Sequence, residues 1–318
     1  MITRPSLALL HRIARIFSAA CACLLLGTAA HAQPLDVSTS FSILGDLVRQ
    51  VGGERVTVRT LIGPDEEAHA FQPRPSDARE VGAAALVVVN GLGFDDWMVR
   101  LARAGGYQGE VVIASAGIDA LAMEKDDGHA HDHGHGKAQG KAVDPHAWQD
   151  VANARRYVAN IADALAKADP EGAPTYRSNA ERYDAALRAL DTEIRAAFDP
   201  LPAAQRKVVS SHAAFGYFGR AYGIRFLSPV GVSNNAEPTA QGVARLIRQL
   251  KAEKVPAVFM ENVADARLIE RIRSESGARV GGMLYSDALS TADGPAASYL
   301  QMMRSNFSAI RDALAAPQ

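Results

Sequence analysis

Eight short runs rich in β-branched residues alternate with helical stretches along this chain, and that alternation restricts its fold more than any other feature. Such an order is the signature of an α/β protein. The expected strands are Leu35–Ser42, Val56–Ile62, Ala85–Asn90 and Val111–Ser115, then Val208–Ser211, Ile224–Ser228, Ala257–Glu261 and Val280–Tyr285. At ~150 residues per domain, 318 residues leave room for two domains. Two groups of four strands suggest two similar lobes, although no clear internal repeat relates them.

Two helices fill the gap between the groups. The first is expected over Trp148–Ala168, stopped by Asp169-Pro170. The second begins near Pro174, a favourable first-turn position, and runs to Phe198 before Asp199-Pro200. Its apolar residues Tyr176, Ala180, Tyr183, Leu187, Leu190, Ile194 and Phe198 recur every three or four positions, which gives a core-facing amphipathic helix. A length of ~37 Å would also let it run along both lobes as a stiff connector, restricting hinge closure to modest lobe motion.

Residues 1–32 read as a secretory signal peptide. Arg4, Arg12 and Arg15 form a basic start, Ile16–Leu26 an apolar stretch, and Ala30-His31-Ala32 a small-x-small cleavage pattern. Ser18-Ala19-Ala20 before Cys21 is a poor lipobox, so cleavage after Ala32 and a bacterial periplasmic destination are expected. Cleavage removes three arginines and no acid, moving the formal charge from −1 to −4. A nucleic-acid partner, which would call for a strongly basic patch, is therefore not expected. Both cysteines leave with the peptide, so the mature chain has no disulfide, and any metal site must use histidine and carboxylate. No later apolar run approaches the ~20 residues that span a bilayer.

Of nine histidines, two lie in the signal peptide and four (His129, His131, His133, His135) fall within the polar segment 124–143. That segment cannot bury an apolar face and reads as a mobile surface loop. Only His69, His146 and His212 remain. His69 follows the second expected strand in Gly63-Pro64-Asp65-Glu66-Glu67-Ala68-His69, at the carboxyl edge where α/β folds bind ligands. His146 precedes a helix in Asp144-Pro145-His146-Ala147-Trp148. His212 follows a strand in Ser210-Ser211-His212, and Asp287 another in Tyr285-Ser286-Asp287. Taken singly, each reads more simply as a structural histidine or a turn aspartate. Together they offer three nitrogens and an oxygen, which suits tetrahedral Zn2+. Chemistry alone leaves both readings open.

The motifs His69-Ala-Phe-Gln-Pro-Arg-Pro-Ser-Asp77, Val88-Val-Asn-Gly-Leu-Gly-Phe94, Asp144-Pro-His-Ala-Trp148 and Ser211-His-Ala-Ala-Phe-Gly-Tyr217 occur in this order. Glu261-Asn262 and Ser286-Asp-Ala-Leu289 continue them. Across essentially the whole mature chain, the set resembles the metal-binding components of bacterial zinc and manganese ABC importers (cluster A-I). The resemblance implies two Rossmann-like α/β lobes, each with a mainly parallel four-stranded sheet, joined by a long rigid α-helix. It implies one Zn2+ carried as transported ligand between the lobes, on His69, His146, His212 and Asp287. It places the lobes at 33–170 and 201–318, with the connecting helix over 171–200. Manganese-selective relatives generally carry glutamate in the third ligand position; His212 there, and the His-rich segment, resemble zinc-type members. The implied partner is an ABC permease at the inner membrane. A periplasmic zinc chaperone is left open as donor, and the chain is taken as a monomer that catalyses no reaction.

His129, His131, His133 and His135 read either as part of a solvated linker or as an auxiliary site that passes zinc to the cleft. Weak affinity is expected in both cases, because ordering a flexible segment costs conformational entropy. The alternatives are a manganese importer component, a secreted zinc hydrolase and a storage protein. The hydrolase lacks a His-Glu-x-x-His helix, and Asp287 would close the position that catalytic zinc leaves open. Glu66 and Glu67 read as loop acids that attract cations, and Trp148, Phe215 and Tyr217 as packing residues near the site. Gly91-Leu92-Gly93 is a failed dinucleotide fingerprint, because Asp96 stands where the third glycine belongs.

Overall fold

The β-branched runs form strands where the pattern expects them: β1 Leu35–Phe41, β2 Val56–Ile62, β3 Leu86–Val89, β4 Val111–Ile113, β5 Lys207–Val209, β6 Arg225–Leu227, β7 Ala257–Glu261 and β8 Arg279–Leu284. The computed structural model describes residues 33–123, 143–232 and 239–316. The expected signal peptide and the four histidines of the His-rich segment lie outside them. The strands make two four-stranded sheets, ordered β2-β1-β3-β4 and β6-β5-β7-β8, and all pairings between them are parallel. Parallel sheets need both faces covered, and the Leu-Val-Val-Val run of β3 is buried at every position.

The covering helices are α1 Ser42–Gly52, α2 Pro75–Gly82, α3 Asp96–Ala104, α4 Val151–Ala168, α5 Ala173–Phe198, α6 Gly216–Tyr222, α7 Ala240–Glu253, α8 Ala266–Ser276 and α9 Tyr299–Ala315. α4 starts three residues later than the apolar pattern suggests. Ala147–Gln149 forms a separate 3-10 turn, and Asp150 then caps α4 by accepting a hydrogen bond from Ala152 N (2.8 Å).

α5 packs on α1 and α4 from the first half of the chain and on α6 and α9 from the second. Its stripe Tyr176, Tyr183, Leu187, Leu190, Ile194 and Phe198 is buried. Ala180 is only half-buried, and its expected place is taken by Asn179, whose Nδ2 donates to Val51 O at the end of α1 (2.9 Å). Each fully buried Leu or Ile contributes ~1.5–3 kcal/mol, so this stripe is a principal tie between the halves. One continuous apolar core runs from Val37 and Phe41 of β1 through α5 to Phe259 of β7 and Met302 of α9. The described residues from Pro34 onward accordingly form one compact unit. Among the described residues, no helix is long and apolar enough to cross a membrane.

In each sheet the chain leaves its first strand to one side and returns on the other. The crossovers diverge between β1 and β3, and again between β5 and β7, which opens a crevice beyond the carboxyl ends of the strands. All four candidate residues lie in segments that follow such ends: His69 after β2, His146 after β4, His212 after β5 and Asp287 after β8.

Candidate metal centre

The structure brings these four side chains together. His69, His146, His212 and Asp287 each offer one donor atom, and the donors all lie within 4.8 Å of one another. His69 Nε2 is 3.4 Å from His146 Nε2 and 3.4 Å from Asp287 Oδ2. His146 Nε2 is 3.3 Å from Asp287 Oδ1, and His212 Nε2 is 3.2 Å from Asp287 Oδ2. Donors held tetrahedrally at 2.0–2.1 Å around an ion stand ~3.3 Å apart, so these spacings fit a shared cation. Asp287 points the same way. Its side chain has no exposure, and neither carboxylate oxygen receives a hydrogen bond among the described residues. A buried carboxylate in that condition is costly unless a cation faces it.

Further residues set the directions of the ligand rings. Asp144 Oδ1 accepts from His146 N (2.9 Å) and lies 2.7 Å from His146 Nδ1. A proton on Nδ1 then donates to the carboxylate and leaves the Nε2 lone pair facing the other donors. On the other side, Glu261 Oε1 accepts from Ser211 N (2.7 Å) and His212 N (3.1 Å), while Oε2 stands 2.7 Å from His212 Nδ1, off the line of an ideal hydrogen bond. Trp148 Nε1 and Gln149 Nε2 both donate to Ser286 O, each at 2.8 Å, fixing the residue before Asp287.

The buried charges act on one another. Burial works against a proton on His146, yet Asp287 and the hydrogen-bonded Asp144 raise its pKa overall. Burial likewise disfavours a His212 cation, but Glu261 and Asp287 lift it well above the ordinary histidine value. Burial would raise the Asp287 carboxyl; His212 and His146 beside it instead hold it well below the usual carboxylate range. Without a cation, protons on the imidazoles balance the carboxylates. A divalent ion would replace those protons.

Several neighbouring residues resolve into structural roles. Glu66 Oε2 accepts from Gly63 N (2.7 Å) and Glu67 Oε1 from His69 N (2.8 Å), so both acids shape the His69 segment, and neither belongs to the four-donor group. Phe215 stacks on Phe226. Tyr217 accepts from Leu121 N and donates to Asp144 O (3.1 Å), supporting the His146 turn. Gly91, Leu92 and Gly93 all have positive φ, and the turn closes on Asp95, whose oxygens accept from Asn90 N (2.6 Å), Gly91 N (3.0 Å) and Ser40 Oγ (2.5 Å). Burial pushes the Asp95 carboxyl up to about 6 against those hydrogen bonds. Asn90 Nδ2 in turn donates to Pro145 O (3.0 Å), beside His146. Phe94 meets the His69 ring edge-on at 5.0 Å, a contact with no local sequence signal beyond the motif itself.

The model of the family described as "Zinc-uptake complex component A periplasmic" matches residues 37–313. The chain is 35% identical over 280 residues to the manganese-binding lipoprotein MntA of Halalkalibacterium halodurans, covering 88% of each chain. It is 31% identical over 274 residues to the iron-binding protein YfeA of Yersinia pestis, covering 86% of this chain and 84% of that protein. The solved periplasmic zinc-binding protein TroA of Treponema pallidum superposes with a TM-score of 0.78 at 27% identity, over 90% of this chain and all of that one.

Proposed function

The chain belongs to the family of periplasmic zinc-uptake complex component A proteins, and on that premise we propose that it is the substrate-binding component of an ABC importer whose cargo is Zn2+. His69, His146, His212 and Asp287 hold the ion in the cleft beyond the two sheets, and the protein presents it to a permease at the inner membrane. The observation that carries this reading is the buried three-nitrogen, one-carboxylate set, with its donors all within 4.8 Å of one another and four contacts at 3.2–3.4 Å. Nitrogen-rich, four-donor sites favour zinc, whereas Mn2+ prefers more oxygen ligands in a larger shell.

Capture breaks no bond. The protein supplies donors that are already converged, excludes water from them, and gives up imidazole protons as the ion arrives. Asp287 occupies the place that a catalytic zinc leaves for water, which argues against hydrolysis. We further propose cleavage after Ala32, which would leave two residues before β1, and lobes at 33–170 and 201–318 bridged by the helix within 171–200. The His-rich segment is assigned only weak auxiliary binding.

A second reading, Mn2+ or Fe2+ as cargo, is favoured by the cargoes named for the relatives MntA and YfeA. It is favoured too by the orientation of Asp287, both of whose oxygens face imidazoles and could ligate together. The test is to incubate the metal-free protein, residues 33–318, anaerobically with equimolar Zn2+, Mn2+ and Fe2+, desalt it, and count metals by mass spectrometry. One zinc per chain is the expected result. One manganese or iron would transfer the assignment to the second reading, and no retained metal would overturn both.

A further inference from the structure

The four donors differ in how they meet solvent and in what restrains them. His146, His212 and Asp287 have fully buried side chains, whereas His69 retains 9% exposure. An ion leaving the cleft would therefore pass His69. That residue sits between β2 and α2, in a segment held to the second half of the chain by one residue in particular. Asp65 N donates to Leu289 O (2.9 Å), Asp65 Oδ1 accepts from Asn262 Nδ2 (2.8 Å), and Asp65 Oδ2 accepts from Thr291 N (3.2 Å). Leu289 and Thr291 lie two and four positions beyond Asp287. Two of the three bonds thus tie the segment carrying the most accessible donor to the segment carrying the carboxylate, and the third ties it to Asn262, just after β7.

Asp65 also has φ +55°, in the left-handed region, without being glycine. Aspartate tolerates that region better than most residues, but a residue held there persists only while its surroundings enforce it. Loss of the side-chain bonds would remove the restraint and favour relaxation of the segment. Asn262 is suited to the role: its Nδ2 reaches Asp65, while its buried Oδ1 has no hydrogen-bond partner among the described residues.

We propose that Asp65 is a positioning residue, a latch that holds the His69 segment across the cleft and so sets the rate at which the bound ion escapes. The latch lies at the surface, where both side-chain bonds are exposed to water. It can open without disturbing the buried donors. The inference rests on the proposed ion-binding role of the cleft.

Zinc release from residues 33–318 into excess chromophoric chelator, followed by stopped flow, tests it with Asp65→Ala, Asp65→Asn and Asn262→Ala. Loss of two exposed hydrogen bonds in Asp65→Ala should speed release about tenfold, with the unfolding midpoint little changed. Asn262→Ala should show a smaller increase. Asp65→Asn should release more slowly than Asp65→Ala, because the Asn262 amide can turn its unpaired oxygen toward the new amide. Hydrogen exchange on the metal-free proteins gives a readout independent of zinc, and faster exchange in Asp65→Ala should be confined to residues 63–73. Unchanged release and unchanged exchange in a folded Asp65→Ala would overturn the latch. Should Asp65→Ala not fold, wild-type release and exchange in both Asp65→Asn and Asn262→Ala would do the same. Absence of zinc from the wild type would refute the cargo assignment instead, and the exchange data would still decide the latch.

Discussion

Glu261→Gln isolates the part that ring orientation plays in holding the ion. Glu261 is fully buried as a side chain and divides its oxygens between two tasks. Oε1 accepts from Ser211 N (2.7 Å) and His212 N (3.1 Å), and Oε2 stands 2.7 Å from His212 Nδ1. Glutamine has nearly the same shape, and its one carbonyl oxygen can keep the backbone bonds. Its NH2 group then faces Nδ1 and calls for a lone pair there. The neutral imidazole satisfies it only by moving the proton to Nε2, the atom that faces Asp287. Ligation then requires reversing that tautomer and leaving two donors opposed. Loss of such an orienting carboxylate typically costs 10–100-fold in metal affinity, or ~1.4–2.7 kcal/mol. The assay is zinc competition against a fluorescent chelator at constant pH, with circular dichroism to establish the fold. A well-folded Glu261→Gln whose affinity lies within twofold of wild type would refute the tautomer argument.

Three further outcomes follow from the same geometry. Because the pKa values of His146 and His212 are raised in the metal-free fold, zinc binding near neutral pH should release protons and strengthen as pH rises. Calorimetry in two buffers of different ionisation enthalpy should give different apparent enthalpies, and identical ones would contradict the linkage. For the metal-free protein, raised histidine pKa values stabilise the fold fully below the unfolded value of ~6.5, and that contribution is lost as pH rises through the folded values. Asp287 has the opposite sign: its lowered pKa contributes above the ordinary carboxylate range and fails only toward strong acid. The metal-free unfolding midpoint should therefore fall from pH 6 to pH 8 while the zinc-induced shift grows, and a flat profile in thermal melts would count against the charge balance. Trp148→Phe removes the donor to Ser286 O and leaves a small cavity, at ~1–3 kcal/mol of stability. It should also weaken zinc binding, and a melt and titration matching wild type would show that the bond does not position Asp287.

The fold was legible because its central strands, β3 above all, are short apolar runs rich in β-branched residues. Burial on both faces of a strand leaves no polar alternation to mislead, and β3, with Leu86-Val87-Val88-Val89, is the clearest case. The four candidate donors were legible as well, since His69, His212 and Asp287 stand in short motifs after strands and His146 in one before a helix. Less visible were the residues that orient them. Asp144 and Glu261 lay inside recognised motifs without an assigned task, since an orienting role depends on which atom of a distant ring they meet. Asp65 gave no signal at all: its side-chain partners are 197 and 226 positions away, brought near only when the halves close on one core. The Gly91-Leu92-Gly93 turn was legible as something other than a dinucleotide loop, since Asp96 stands where the third glycine belongs. Its glycines serve a left-handed turn around the Asp95 carboxylate rather than a phosphate.

The most direct measurement is native mass spectrometry of zinc-loaded protein in three forms: residues 33–318, the same chain lacking residues 124–143, and His212→Ala. The expected result is one zinc that survives chelator challenge in the first two forms and is lost in the third. Loss of that zinc on removing 124–143, with retention in His212→Ala, would contradict the cleft as the site of capture.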